Sequence, residues 1–263
     1  LNIINRAQTV SSIGSVFENI TDENKDKVRV MIRFINAKDP NFLGEVTKYN
    51  NTQNRVTGRD FTTQRAEQQK IQKEISFVGG YTYKLLRQED EGITESNTID
   101  IDDALNALVC ISKKSQLIAV LKSNRGRFFD SVESSLYDQV FNPKNPPSGI
   151  YVINAVNLYR VCFEILKDTI SKSTTIQEED YGKIPSLLTH GNYVFISILM
   201  DKVKPTASTN GINTYDMNKI NLDTVKLAKD IFDFIQINYP NSYLARFFQN
   251  REKVDQIITY FTV

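Results

Sequence analysis

The chain opens on a short apolar strand candidate, Leu1-Asn2-Ile3-Ile4, after which Val10, Ile13, Val16, Phe17 and Ile20 recur at helical spacing. Residues 27–35 alternate instead. Val28, Val30, Ile32 and Phe34 stand against Arg29, Met31 and Arg33, which predicts a strand with one buried face. A turn with Pro40 follows, then Phe42, Val46 and Tyr49 at i, i+4 and i+7. A further helix is predicted over 63–78 with Ala66, Ile71, Ile75 and Val78 inward; Gly79-Gly80 stops it and 81–86 is a third strand candidate. Residues 88–103 carry seven acids and no base, which predicts a solvated linker running into the acid-favouring capping positions of the next helix.

From Ile99 onward every periodic segment reads as helix. Ile101, Leu105, Leu108 and Cys110 mark one, and Ser115 to Leu121 is apolar and leads into a basic turn at 122–127. Residues 128–141 continue the period until Pro143, Pro146, Pro147 and Gly149 break it. Residues 151–170 are apolar almost all round, as expected of a central buried helix. Further helices are predicted over 190–203, opened by His190, over 222–237 with Val225, Ala228, Ile231, Phe232 and Ile235 on one side, and over 243–261; residues 204–215 read as an exposed loop. The expected architecture is α+β: a small mixed sheet of about three strands with helices over 1–95, then an all-helical subdomain over 96–263.

Composition adds limits. A net charge of +1 gives no global case for nucleic acid or membrane, so a basic surface must be local. The longest uninterrupted apolar runs, such as 193–200, fall well short of the roughly 18 residues of a membrane span, and no signal pattern opens the chain. Cys110 and Cys162 lie in apolar helical patterns and read as buried reduced thiols, which points to a cytoplasmic setting. Leu1 is not a start methionine, and the sequence reads as a piece of a longer protein. The cofactor, if any, is unknown from the sequence, and the intrinsic catalytic case is weak: there is no G-x-x-x-x-G-K-[ST], no G-x-G-x-x-G after a strand and no C-x-x-C. A His-based triad would depend on the single His190, and the acids Glu178-Glu179-Asp180 read as a solvated run, so no metal site is expected. Glu23-Asn24-Lys25, half of a restriction-nuclease signature, reads as surface charge.

The candidate chemistry gathers in two polar segments. Between Lys48 and Lys73 lie six cations (Lys48, Arg55, Arg59, Arg65, Lys70, Lys73) against two acids, Asp60 and Glu67. Asn50, Asn51, Gln53, Asn54, Gln64, Gln68 and Gln69 intervene, each able to donate and accept hydrogen bonds. Two readings follow: a ligand-facing surface, or a buried polar network tying two elements together. The second segment, Asn5, Arg6, Gln8 and Thr9, falls at a strand-to-helix junction, where free backbone N–H groups and the helix dipole favour an anion. A phosphate contact and a capping network are both open there.

Residues 1–12 (Leu-Asn-Ile-Ile-Asn-Arg-Ala-Gln-Thr-Val-Ser-Ser) and 47–61 (Thr-Lys-Tyr-Asn-Asn-Thr-Gln-Asn-Arg-Val-Thr-Gly-Arg-Asp-Phe), with Ile32-Arg33-Phe34-Ile35 between them, resemble the AIPR family of abortive-infection, phage-resistance proteins. In that family an N-G-x-Q-T-like stretch follows an apolar strand, and an N-N-T/S-Q-N segment leads into an acidic-aromatic pair and a Gln-rich helix. Asn5, Gln8 and Thr9, then Asn50, Asn51, Gln53 and Asn54, then Asp60-Phe61 match those positions. Arg6 departs from the pattern, since many members carry Gly there. A glycine would let the backbone approach a phosphate, whereas arginine offers a charged fork. The resemblance covers about residues 1–90 and implies a role in phage defence, a longer N-terminus, and no assigned catalytic residues.

Taken together, these residues predict a nucleic-acid- or nucleotide-binding module of a bacterial defence system, with Asn5, Arg6, Gln8, Thr9, Lys48, Asn50, Asn51, Gln53, Asn54, Arg55, Arg59 and Asp60 at the ligand. Two other classes stay open. One is a nuclease or nucleotide hydrolase, using Asp60 or groups upstream of Leu1. The other is a sensor whose helical half docks a phage protein or a second copy of itself, with no membrane involved.

Overall fold

The computed structural model describes residues 62–85, 97–130, 135–174, 183–205, 211–221 and 224–262. By internal contact the chain divides into two units, Leu1–Thr57 and Gly58–Val263, and all the described residues belong to the second.

The predicted helix over 63–78 is α1, Ala66–Ser76, which buries Ile71 and Ile75 completely. Ala66 is exposed rather than inward; Glu67 and Gln68 take the buried positions of that turn. Gly80, at φ 83°, turns the chain where an L side chain would be strained, and strand β1 follows at Thr82–Lys84. Its partner is β2, Thr98–Asp100, paired parallel with Thr82 opposite Thr98, Tyr83 opposite Ile99 and Lys84 opposite Asp100. The end of the expected linker is therefore ordered structure. Ile99 is fully buried, and the run of acids around it conceals a strand too short to alternate visibly. The other two strand candidates, at 1–4 and 27–35, lie outside the described residues. Among the described residues the structure is mostly helical with a two-stranded parallel sheet.

The acids after β2 do cap a helix. Asp100 Oδ1 accepts from Asp103 N at 2.8 Å and Asp103 Oδ2 accepts from Asp100 N at 3.4 Å, a reciprocal box at the start of α2, Ile101–Ser112. Lys113, at φ 55°, ends α2, and α3 runs Ser115–Ser123. The basic turn becomes a 3₁₀ turn, Arg125–Phe128, and α4 follows at Ser135–Phe141. The proline-rich break gives way to α5, Gly149–Thr174, whose Val152, Ile153, Ala155, Val156, Leu158 and Cys162 are buried.

Helix α6, Ile184–Val203, starts six residues before the expected His190, because Pro185 pre-sets the first helical turn instead of breaking it. His190 is thus a half-buried mid-helix residue. Helices α7 (Met217–Asn221) and α8 (Thr224–Asn238) follow; α8 buries Leu227, Ala228, Ile231 and Ile235, while Val225 points outward. The last expected helix is two, α9 (Leu244–Phe247) and α10 (Arg251–Phe261), since Asn250 leaves the helix to accept from Lys253 N at 3.1 Å and cap a new one.

Helix α5 is the hub: α6, α2 and α1 all pack on it, and α10 packs on α3. Each fully buried aliphatic or aromatic side chain at these contacts stabilises the fold by about 1.5–3 kcal/mol. By length and composition Gly149–Lys172 is apolar enough to cross a membrane, but 61% of that window is buried against the rest of the chain, as for a core helix.

Candidate functional site

The twelve predicted ligand residues, Asn5, Arg6, Gln8, Thr9, Lys48, Asn50, Asn51, Gln53, Asn54, Arg55, Arg59 and Asp60, lie outside the described residues. The C-terminal end of the same polar stretch is described, and there the buried-network reading holds. On α1, Gln68 is fully buried; its Nε2 donates to the Tyr137 hydroxyl at 2.7 Å and its Oε1 accepts from the Tyr83 hydroxyl at 2.7 Å. Arg65 sits with its guanidinium 4.1 Å from the Tyr137 ring centroid and donates from Nη2 to Asp138 Oδ1 at 2.7 Å. Its Nε lies 2.5 Å from Glu67 Oε1, although that oxygen forms no well-aligned hydrogen bond, so charge holds the pair. Burial foremost, with Glu67 adding to it, pushes the Tyr137 phenol far above its usual range, against the pull of the Gln68 hydrogen bond and Arg65. Gln72 reaches the Tyr83 carbonyl at 3.1 Å. One helix is thereby pinned to α4 and β1, and Arg65 is matched by carboxylates.

The basic turn is built differently. Lys122 stands near the end of α3 and points across to α6, where its Nζ donates to the Thr189 carbonyl at 3.0 Å and to Asn192 Oδ1 at 2.9 Å. Arg125, in the 3₁₀ turn, donates from Nη2 to the Tyr193 hydroxyl at 2.8 Å, and Lys122 Nζ lies 5.9 Å from the centroid of that same ring. Burial lowers the Lys122 pKa. Burial pulls on Arg125 the same way, but Tyr193 and the more distant Asp102 outweigh it, so its pKa rises. Among the described residues, no carboxylate comes within ion-pair distance of either cation. The sequence displays the cationic turn; its partners at 189–193 are brought to it only by the packing of α3 and its turn against α6, about seventy residues on.

Other chemistry is quieter. Both cysteines are free and buried, and burial raises Cys110 well above the usual thiol range and Cys162 to about 12, so neither is a ready nucleophile. Among the described residues no three His, Cys, Asp or Glu side chains are grouped to hold a metal. An open cleft of about 430 Å³ lies at the end of α6, lined by Leu199, Lys202, Val203, Tyr215, Asp216 and Ile220 among others. One wall is fixed by the buried Asn154, which donates to the Gly211 carbonyl and accepts from Asn213 N at 2.8 Å, while its own carbonyl accepts from the Tyr215 hydroxyl.

Compared with known proteins, the chain matches the family model described as AIPR protein over residues 1–259, so the match runs through the helical half as well as the motif-bearing segment. No curated protein and no solved structure matches it.

Proposed function

The chain belongs to the AIPR family of abortive-infection, phage-resistance proteins, and from that premise we propose that it acts in defence by binding the phosphates of a nucleic acid or nucleotide through Asn5–Thr9 and Lys48–Asp60. The observation that carries the reading is the charge pattern of Lys48–Lys73, six cations and two acids interleaved with amides. Arg65 and Gln68, at the far end of that stretch, hold α1 in place; the reading assigns Lys48, Arg55 and Arg59 to the ligand. Arginine and lysine would contact phosphates, and Asn50, Asn51, Gln53 and Asn54 base edges. This role needs no membrane and suits the cytoplasm.

A salt-titrated binding measurement with labelled single-stranded and duplex oligonucleotides tests the proposal. Affinity is expected to fall steeply with salt, and Arg55→Ala with Arg59→Ala to flatten the logarithmic slope by roughly 0.7–0.9 per phosphate contact removed. Affinity indifferent to both salt and the double substitution rejects it. Cleavage of the oligonucleotide with Mg²⁺, abolished by Asp60→Ala, would replace binding with a nuclease reading.

A further inference from the structure

A cation drawn partly out of water needs compensation, and proteins commonly supply it with a carboxylate. Arg65 has Glu67 and Asp138, Arg160 has Asp103 at 2.7 Å, and Lys113 has Asp201 at 2.9 Å. Lys122 and Arg125 are half-buried too, yet their close partners are a backbone carbonyl, an amide oxygen and a phenol. Those neutral groups aim the cations without cancelling their charge.

We propose that Lys122 and Arg125 form a second phosphate-binding site, which takes an oxyanion of a nucleic-acid backbone or of a nucleotide. The ligand class rests on the phosphate-binding reading above; the residues do not. Lys122 has three N–H donors and two are engaged, and Arg125 has five with one engaged on Tyr193, so both retain donors for an incoming oxygen. Their acceptors, Thr189, Asn192 and Tyr193, occupy about one turn of α6, so the two heads are oriented by a single rigid element before any ligand arrives. The lowered pKa of Lys122 has the sign of a desolvated cation short of counter-charge, which an anion would supply. Asp102 acts on Arg125 from beyond ion-pair distance, and Asp130 lies beside Gly126 of the same turn. Both temper the field without occupying the site.

The test compares the full chain with Lys122→Gln plus Arg125→Gln, and separately with Arg55→Ala plus Arg59→Ala, using a labelled single-stranded oligonucleotide, a nucleoside triphosphate and inorganic phosphate. The first pair is expected to weaken binding about tenfold or more and to flatten the salt slope by roughly 0.7 per cation for a single strand, while Lys122→Arg retains most of the affinity. Loss with the oligonucleotide alone identifies a polynucleotide backbone; loss with the triphosphate or phosphate as well identifies a discrete phosphate. Tyr193→Phe, which keeps both charges and removes only the Arg125 acceptor, is expected to weaken binding to a smaller degree with an unchanged salt slope. The proposal is overturned if the first pair binds like wild type while the second pair does not, a result that leaves the N-terminal reading standing. It is equally overturned if the wild-type chain binds none of the three probes. Loss in the first pair alone sustains this site and removes the N-terminal one.

Discussion

Two tyrosines, each flanked by cationic side chains, anchor two polar clusters in this molecule, and the clusters are opposites. Around Tyr137, Arg65 lies on the ring and is answered by Glu67 and Asp138, with Gln68 fully buried beside them. Around Tyr193, Lys122 and Arg125 are held by neutral oxygens. The first cluster is closed, and its chemistry is consumed in joining α1 to α4 and β1. The second keeps net positive charge in a fixed arrangement. Density of arginine and glutamine therefore does not by itself make a residue ligand-facing, as Arg65 and Gln68 show. The partners decide, and the carboxylate that closes a cluster can lie far away in the chain, as Asp138 does from Arg65.

The strongest way to break the contrast is to unseat α1. A Cβ at Gly149 would meet Ile75 N and Glu74 Cβ, both at 2.8 Å, and the first of these is backbone that cannot swing aside. Alanine would gain up to about 1 kcal/mol of helix propensity, but overpacking against backbone costs about 3 kcal/mol, so the clash wins. Gly149→Ala is expected to lower the urea midpoint accordingly and to expose Tyr137. Next comes Gln68→Leu, which removes two short buried hydrogen bonds to Tyr137 and Tyr83 and is expected to cost about 2 kcal/mol; an unchanged melting curve would mean the network holds nothing together.

The smallest effect belongs to the open cluster. Lys122→Met should change stability by no more than about 0.5 kcal/mol at neutral pH. Its pH dependence carries a definite sign. Because burial lowers the Lys122 pKa from its usual 10.5, the protonated lysine disfavours folding at neutral pH. That penalty fades as pH rises toward 10.5, so wild type should gain on the methionine variant across the alkaline range. A gap that widens the other way would show that the cation is compensated after all.

Much of the fold was legible from periodicity. Ile71 and Ile75, the largely apolar 151–170 segment and the acid caps around Ile101 all behave as their spacing implies. What periodicity hides has specific causes. Strand β2 is three residues long inside an acidic run, shorter than any window that detects alternation. Helix α6 starts ahead of His190 because Pro185 sits in its first turn, where its missing N–H is harmless. Asn250 divides an amphipathic stretch because a local cap competes with helix continuation. At the site level, the basic turn at 122–127 was visible as charge, but only the tertiary fold shows that α6 meets it with neutral acceptors.

The start of α5 has a consequence for the order of assembly. Its first amide, Gly149 N–H, donates to Glu74 Oε2 at 2.7 Å, while Ser148 Oγ accepts from Tyr151 N within the same turn. One cap is local and the other is borrowed from a helix that leaves the ribosome seventy-five residues earlier. A nascent chain therefore already carries the acceptor when the hub helix emerges. The first turn of α5 is completed when it meets α1, which ties the maturation of the hub to a helix made well before it.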